Sequence, residues 1–229
     1  MVWRQIADDV ALLQYPFRVF GIDFARNVTL LRLRDGQVVI HSTAPFTPED
    51  VAAVRKFGDP SWMIDVTLLH DTFAQQGRAA LPNVRYLAPA GFSEISGVVT
   101  ESLFPAPIDW VDQIDVLPIE GTRKHEHAVF HRHSRTLVVA DLIFSFGASA
   151  GSWERFFVRH VMRLPRLRGV SVFFKMLISD RAAFERSMAH LLELDFTRLI
   201  VAHRDMIETD GKAVLNQALR DRGFEASLA

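Results

Sequence analysis

Three polar residues each follow a short apolar run at widely separated places in the chain. They are His70, Asp141 and His203, and the runs before them are rich in Val, Ile and Leu. Such runs are typical of buried β-strands. Because the ends of neighbouring strands meet at one edge of a sheet, where open α/β folds place their ligands, we expect these side chains to converge on a site.

The three side chains offer imidazole nitrogens and a carboxylate, which are ligands that zinc, iron and manganese accept. We therefore predict a single metal held by two histidines and one carboxylate, with positions left open for water. Such a metal lowers the pKa of water and polarises a carbonyl or phosphoryl oxygen. The alternative is a site that has lost its metal, with His70 hydrogen-bonded to Asp141 and His203 kept as a satisfied buried polar group.

Composition limits the class of protein. The chain has 229 residues, 49% of them hydrophobic, no cysteine and a net charge of -1. This length and hydrophobic content predict one globular domain over residues 1–229. The missing cysteines exclude thiolate ligands and fit a cytoplasmic protein. The near-neutral charge argues against nucleic acid as a partner, and no apolar run is long enough for a membrane span, so we expect a small-molecule partner.

The order of predicted elements indicates layers of helix and mixed sheet. A hairpin over residues 27–40 turns at Asp35-Gly36, a strong signal for a tight turn. A helix starts after Thr47, which is a natural N-cap. The predicted helices cover residues 48–57, 71–80, 152–164, 180–194 and 210–222. Since hairpins and helices are mixed in the first half, the pattern favours an α/β (α+β) layered fold over a uniformly parallel sheet.

At this point the order of features resembles the metallo-β-lactamase fold over nearly the whole chain. Residues 138–144, with Asp141, resemble the segment that carries the aspartate bridging two metals. Residues 199–207, with His203, resemble the segment of the last metal-binding histidine. The resemblance implies an αββα sandwich, with two mixed sheets face to face, helices outside and ligands on loops at one edge. The pair His41-Ser42 is similar to that of an uncharacterised bacterial subgroup.

The departures from the family pattern concern the metal ligands. The family motif His-x-His-x-Asp-His corresponds to residues 70–75, where only His70 remains. Ala74 and Gln75 take the places of the aspartate and the last histidine, and the family's Gly-His step reads Gly121-Thr122. We therefore do not expect the usual two-metal site.

The resemblance also suggests further site residues. His125 and His127 lie on the loop where the family has another ligand, so they are candidate metal ligands, and Glu126 between them is a candidate ligand or base. Asp141 or Glu126 would orient the attacking water. His41 takes the place of an aspartate that supports the metal ligands, unless it is a buried histidine bonded to backbone. Asp71 either faces the same cleft or caps the next helix.

We expect a metal-dependent hydrolase of a small ester, lactone, thioester or phosphoester, using zinc, iron or manganese. The alternative is a non-catalytic small-molecule-binding protein that retains the fold without a metal. The amphipathic, aromatic segment 152–162 is compatible with core packing, a lid, a homodimer interface or a membrane-surface helix.

Overall fold

A computed structural model describes residues 2–147, 150–164 and 166–226. The strands, in chain order, are β1 (Arg4–Ala7), β2 (Val10–Tyr15), β3 (Arg18–Val19), β4 (Ile22–Asp23), β5 (Arg26–Arg32), β6 (Gln37–His41), β7 (Asp59–Ile64), β8 (Arg85–Ala88), β9 (Glu101–Ser102), β10 (Ile114–Pro118), β11 (His127–His131), β12 (Thr136–Val138), β13 (Phe144–Ser145), β14 (Arg168–Gly169) and β15 (Arg198–Ile200). The α-helices are α1 (Pro48–Phe57), α2 (Ala74–Ala80), α3 (Phe92–Ser96), α4 (Ser152–Phe156), α5 (Val172–Leu177), α6 (Arg181–Glu193) and α7 (Gly211–Asp221).

Most strands belong to two mixed sheets. The larger sheet has seven strands in the order β1-β2-β5-β6-β7-β8-β9, and the smaller has four in the order β10-β11-β12-β15. Strands β6 to β9 are parallel to one another, as are β12 and β15. The predicted hairpin is confirmed as β5 and β6, which pair antiparallel with Leu31 opposite Val39.

The two sheets pack face to face because their strands alternate between two buried faces. Leu31 and Val39 point to one side and pack in a cluster with Val129 and Val138 of the smaller sheet. Successive side chains of a strand point to opposite faces, so their neighbours in sequence face away from this inner layer. The inner layer joins both sheets into one sandwich.

Helices cover the outer faces. Leu30 and Ile40 point away from the inner layer and pack with residues of α1, α2 and α3. On the smaller sheet, Phe130 and Leu137 pack with residues of α6 and α7. The predicted αββα sandwich is therefore confirmed. Among the described residues, no helix is long and apolar enough to cross a membrane.

The helix starts test the predicted caps. At α1, the Thr47 hydroxyl accepts a hydrogen bond from the Asp50 amide at 3.2 Å, as predicted. The helix predicted for 71–80 begins only at Ala74. The helix predicted for 152–164 is α4 followed by a π-helical turn at Phe157–Val161, and its N-cap is Gly151.

We expect Gly121→Ala to destabilise the protein by at least about 3 kcal/mol. Gly121 has a φ of +71°, and a Cβ there would lie 2.1 Å from the Asp180 carbonyl oxygen at the start of α6. Gly36→Ala is the matched control, since Gly36 has a φ of +90° with nothing within 4 Å of the added Cβ. It should cost only about 1–2 kcal/mol, the backbone strain alone. Equal losses in denaturant unfolding would show that the close approach at Gly121 is unimportant.

Candidate metal centre

The three residues predicted to converge do so at one edge of the sandwich. One ligand atom from each of His70, Asp141 and His203 lies within 4.8 Å of the others, and all three residues are buried. Asp141 and His203 follow β12 and β15, whose parallel pairing brings their ends together. His70 does not directly follow its strand, because β7 ends at Ile64. The loop between Ile64 and His70 is held against the loop before β11, because the Leu68 amide donates to the Lys124 carbonyl oxygen at 3.0 Å.

The Asp141 carboxylate lies between the two imidazole rings. Its Oδ2 is 3.3 Å from His70 Nε2, and its Oδ1 is 3.4 Å from His203 Nε2. Ligand atoms around a tetrahedral zinc, at 2.0–2.1 Å from the ion, are about 3.3–3.4 Å apart. The spacing of these groups is therefore that of atoms able to share one cation.

The hydrogen bond that His203 makes through Nδ1 determines which of its ring nitrogens carries the proton. His203 Nδ1 donates to the Ala25 carbonyl oxygen at 2.9 Å, since a carbonyl can only accept. With a proton on Nδ1, the Nε2 that faces Asp141 is the nitrogen free to bind a further proton or a metal ion. His70 Nε2 is also buried and, apart from its 3.3 Å contact with Asp141, has no hydrogen-bond partner in the described part of the chain. A cation between these atoms would satisfy all of them, so the residues fit a metal ion.

The ionisation of the group suits a metal site. Burial would raise the pKa of Asp141, but the two neighbouring imidazoles hold it well below its usual range. Burial, assisted by the charge of Arg26, lowers the pKa of His70 to about 4. At neutral pH the carboxylate is therefore charged and His70 is neutral, which are the forms that bind a metal.

Glu126 fixes the conformation of the loop that carries Asp141. Its carboxylate is buried and accepts hydrogen bonds from the amides of Ala140, Asp141 and Leu142 at 2.9, 3.1 and 3.2 Å. Burial, together with the nearby Asp141 charge, raises its pKa to about 8. Both oxygens are engaged with backbone, so the geometry gives Glu126 a positioning role and does not favour the predicted role of ligand or base.

The structure does not bring His125 and His127 into the ligand group. His125 is exposed and has a φ of +49°. His127 Nδ1 donates to the carbonyl oxygen of His125 at 2.9 Å, and its ring lies beside that of Phe104. Of the six candidate ligands, three are assembled among the described residues: His70, Asp141 and His203.

His41 and Asp71 lie close to the group without joining it. His41 is buried, and neither of its ring nitrogens has a hydrogen-bond partner among the residues that the structure describes. Asp71 does not cap α2, because the N-cap is Phe73. Support of the metal ligands by either residue stays a prediction.

A buried polar network that sequence reasoning missed lies next to His41 and His70. Arg26 is buried and donates from Nη1 to the Ser42 hydroxyl at 3.1 Å, while Phe17 and Phe73 lie against its guanidinium. Its charge acts on Asp65 and on Asp141. The sequence signal that could have found this network is Arg26 itself, a charged residue at the start of an apolar strand.

Asp65 is the acidic member of this network. It accepts hydrogen bonds from the hydroxyl of Thr43 at 3.2 Å and from that of Tyr86. Burial raises its pKa to about 7, against the opposing effects of Tyr86 and Arg26. Its position inside the apolar run 63–69 could have marked it as a buried carboxylate in need of partners.

We expect His41→Leu to reduce the acid sensitivity of the metal-free protein. Burial lowers the pKa of His41 to about 3, so between that value and about 6.5 the unfolded state binds a proton that the folded state does not. Stability therefore rises with pH across this window and is lost as the pH falls. Between pH 8 and pH 5 the variant should lose about 2 kcal/mol less free energy of unfolding than the wild type. Parallel pH profiles in urea unfolding would contradict this.

An aromatic shell surrounds His203 and opens into a cavity. The Phe144 ring stacks on the imidazole at 5.6 Å and 2°, and Phe24 meets it edge-on at 5.7 Å. The cavity has a volume of about 280 Å³, with Asp141 and His203 in its wall beside mainly aromatic and aliphatic side chains. The site is therefore reached through an apolar chamber.

Several solved metallo-β-lactamases align with nearly the whole chain. A metallo-β-lactamase from Erythrobacter litoralis aligns with a TM-score of 0.66 and 14% identity over 96% of each chain. The enzyme FIM-1 from Pseudomonas aeruginosa in its mono-zinc form aligns with a TM-score of 0.64 and 12% identity, over 96% of this chain and 95% of that one. One from Pontibacter korlensis gives 0.63 and 11%, over 96% and 97%. The chain has the metallo-β-lactamase fold, as its resemblance implied.

Comparisons at the sequence level give no such match. No family model matches the chain. No curated protein matches it either. The likeness is therefore one of fold at low identity, and the chemistry has to be argued from this chain's own residues.

Proposed function

We propose that this protein is a metal-dependent hydrolase with a single metal held by His70, Asp141 and His203. The observation that carries the proposal is the buried carboxylate between two imidazole nitrogens, with Oδ2 3.3 Å from His70 Nε2 and Oδ1 3.4 Å from His203 Nε2. A metal bound there, of the zinc, iron or manganese class, supplies an acidified water and a Lewis acid for a carbonyl or phosphoryl oxygen. The mono-zinc form of FIM-1 is a precedent for one metal in this fold.

Each residue has a defined task in this proposal. Ala25 fixes the His203 ring through Nδ1, so that Nε2 stays available. Glu126 fixes the backbone on both sides of Asp141, which orients that carboxylate. Asp141 accepts a hydrogen bond from the attacking water molecule. This hydrogen bond directs a lone pair of the water oxygen toward the substrate. In hydrolysis the water oxygen bonds to the acyl carbon or phosphorus, the ester bond breaks and a proton passes from the water to the leaving group.

A second metal is not part of the proposal, because the residues that would hold it are engaged elsewhere or lack donors. Ala74 is buried in the outer core of the larger sheet, and Gln75 donates to the Ser96 carbonyl oxygen at 3.0 Å. Arg26 adds a permanent positive charge that acts on Asp141. A second cation would meet that repulsion without ligands to offset it.

The second candidate function is a non-catalytic protein that binds a small molecule in the apolar cavity. The observation that favours it is the loss of donors at the motif positions, where an exposed Thr72 takes the place of a histidine. In that case His70 and His203 would share a proton with Asp141 in place of a metal.

The test is a hydrolysis screen with tag-free protein. Esters, lactones, thioesters and phosphoesters would be offered to protein loaded with zinc, iron or manganese, and to the same protein after chelation. We expect cleavage of at least one class, lost on chelation and restored by the metal. Cleavage that survives chelation, or none with any metal, would contradict the hydrolase proposal, and the second outcome would favour the binding protein.

A further inference from the structure

The cavity beside the metal centre has the size and chemistry of a binding site for an apolar group. Its volume is about 280 Å³. A 150 Å³ cavity lined by aliphatic and aromatic side chains holds a benzene molecule, so this one has room for about eight to twelve carbon atoms. Phe17, Phe144, Phe157 and Leu177 are among the residues that line it.

The polar side chains of its wall are few. They are Asp141 and His203 of the metal centre, together with Ser171. The Ser171 hydroxyl is already used, because it accepts from the Phe174 amide at 3.0 Å at the start of α5. No lysine or arginine is among the described lining residues, so nothing there would neutralise a phosphate or carboxylate on the ligand. The part of a ligand that lies away from the metal centre must therefore be apolar.

The mouth of the cavity exposes apolar side chains that a ligand could cover. Phe20 is 78% exposed and Phe173 is 48% exposed, and both line the cavity. Phe20 belongs to the turn of the β3–β4 hairpin, and Phe173 belongs to α5. Trp153 of α4 donates from its indole to the Phe20 carbonyl oxygen at 3.2 Å, which holds the hairpin at this position.

We propose that the substrate is an ester, thioester or lactone whose apolar acyl or aryl group fills this cavity while its carbonyl faces Asp141 and His203. This inference rests on the proposed function and narrows it, since the described lining has no lysine or arginine that would pair with the further negative charge of a phosphoester beside the metal centre. Water oxygen bonds to the carbonyl carbon, the acyl C–O or C–S bond breaks, and the proton goes to the alcohol or thiol. The metal-free cavity binds the same apolar group, which allows the two proposals to be tested separately.

The first arm of the test measures binding without chemistry. Unbranched 2-alkanones of five to eleven carbons would be titrated calorimetrically into chelated protein. We expect affinity to rise about threefold per added methylene until the cavity is full. The second arm measures kcat/KM of metal-loaded protein for p-nitrophenyl esters from acetate to decanoate, and we expect the same trend.

Two variants on one helix make the test specific. Phe173→Asp places a charge in the cavity wall and should weaken binding of the longest ketone at least tenfold. Met176→Asp is the matched control, since Met176 lies on α5, is 69% exposed and is not part of the lining. It should bind every ketone as the wild type does.

The outcomes separate the two proposals. Ketone binding that grows with chain length, without cleavage of any ester, supports the apolar site but overturns the hydrolase and, with it, the assignment of an ester, thioester or lactone as substrate. Ester cleavage with no dependence on chain length, or equal effects of the two variants, overturns the inference and leaves the hydrolase standing. A wild type that is dimeric and a Phe173→Asp variant that is monomeric would also overturn it, because a second copy of the chain would then cover the mouth.

Discussion

We expect Asp141→Ala to lower metal affinity at least about a hundredfold and to abolish metal-dependent hydrolysis. Asp141 is the only carboxylate in the group of ligand atoms found among the described residues, and its two oxygens face both imidazoles. Removing a residue that merely supports a ligand costs about 10–100-fold in metal affinity, so losing the charged ligand should cost more. Competition titration with a chromophoric chelator measures the affinity directly.

Asp195→Asn is the matched control for this variant. Asp195 is exposed at the surface, paired with Arg135, and should leave metal affinity unchanged. Asp141→Asn adds a finer test, because it keeps the size of the side chain and removes the charge. If Asp141→Ala binds metal as tightly as the wild type, the carboxylate is not a ligand and the site has been assigned wrongly.

Replacing Glu126 by alanine should destabilise the metal-free protein by about 5 kcal/mol. The substitution leaves three buried amides, those of Ala140, Asp141 and Leu142, without acceptors. Each such orphaned donor costs about 1–3 kcal/mol, and the lost volume of a buried side chain adds to this. The free energy of unfolding in guanidinium chloride measures the effect.

Two further substitutions isolate the cause. Glu126→Gln keeps one acceptor oxygen but turns an amide group toward a backbone donor, so we expect a loss of about 1–3 kcal/mol. Glu120→Ala, six residues earlier and exposed, should change stability by less than about 0.5 kcal/mol. If Glu126→Ala were as stable as Glu120→Ala, the carboxylate would not be holding the Asp141 loop.

The fold was predictable because its strands and caps carry strong local signals. The Asp35-Gly36 turn, flanked by alternating apolar residues, gives the β5–β6 hairpin, and Thr47 with Asp50 forms the capping box of α1. Element ends were less predictable. The apolar run before His70 continues past Ile64 as a loop, because its backbone bonds change partner from one residue to the next. The Asp65 amide donates to Leu87 of β8, Val66 accepts from the His127 amide, and the Leu68 amide donates to Lys124.

Of the metal centre, only the convergence of residues at strand ends could be predicted from the sequence. His70, Asp141 and His203 follow apolar runs, and that signal survives in the sequence alone. The loop with His125, Glu126 and His127 offered three candidates of similar chemistry. Only its fold shows that Glu126 turns inward to backbone amides while the two histidines lie elsewhere. Such long-range contacts leave no periodic trace in a sequence.

The central claim is that His70, Asp141 and His203 bind one metal ion. Inductively coupled plasma mass spectrometry on tag-free protein, beside a His70→Ala, His203→Ala double variant, tests it most directly. A double variant of two exposed histidines, His160→Ala and His190→Ala, is the matched control. We predict about one zinc, iron or manganese per chain in the wild type and the control, and almost none in the site variant. Wild-type protein that takes up no metal even from excess, or a site variant that binds as much as the control, would contradict the account.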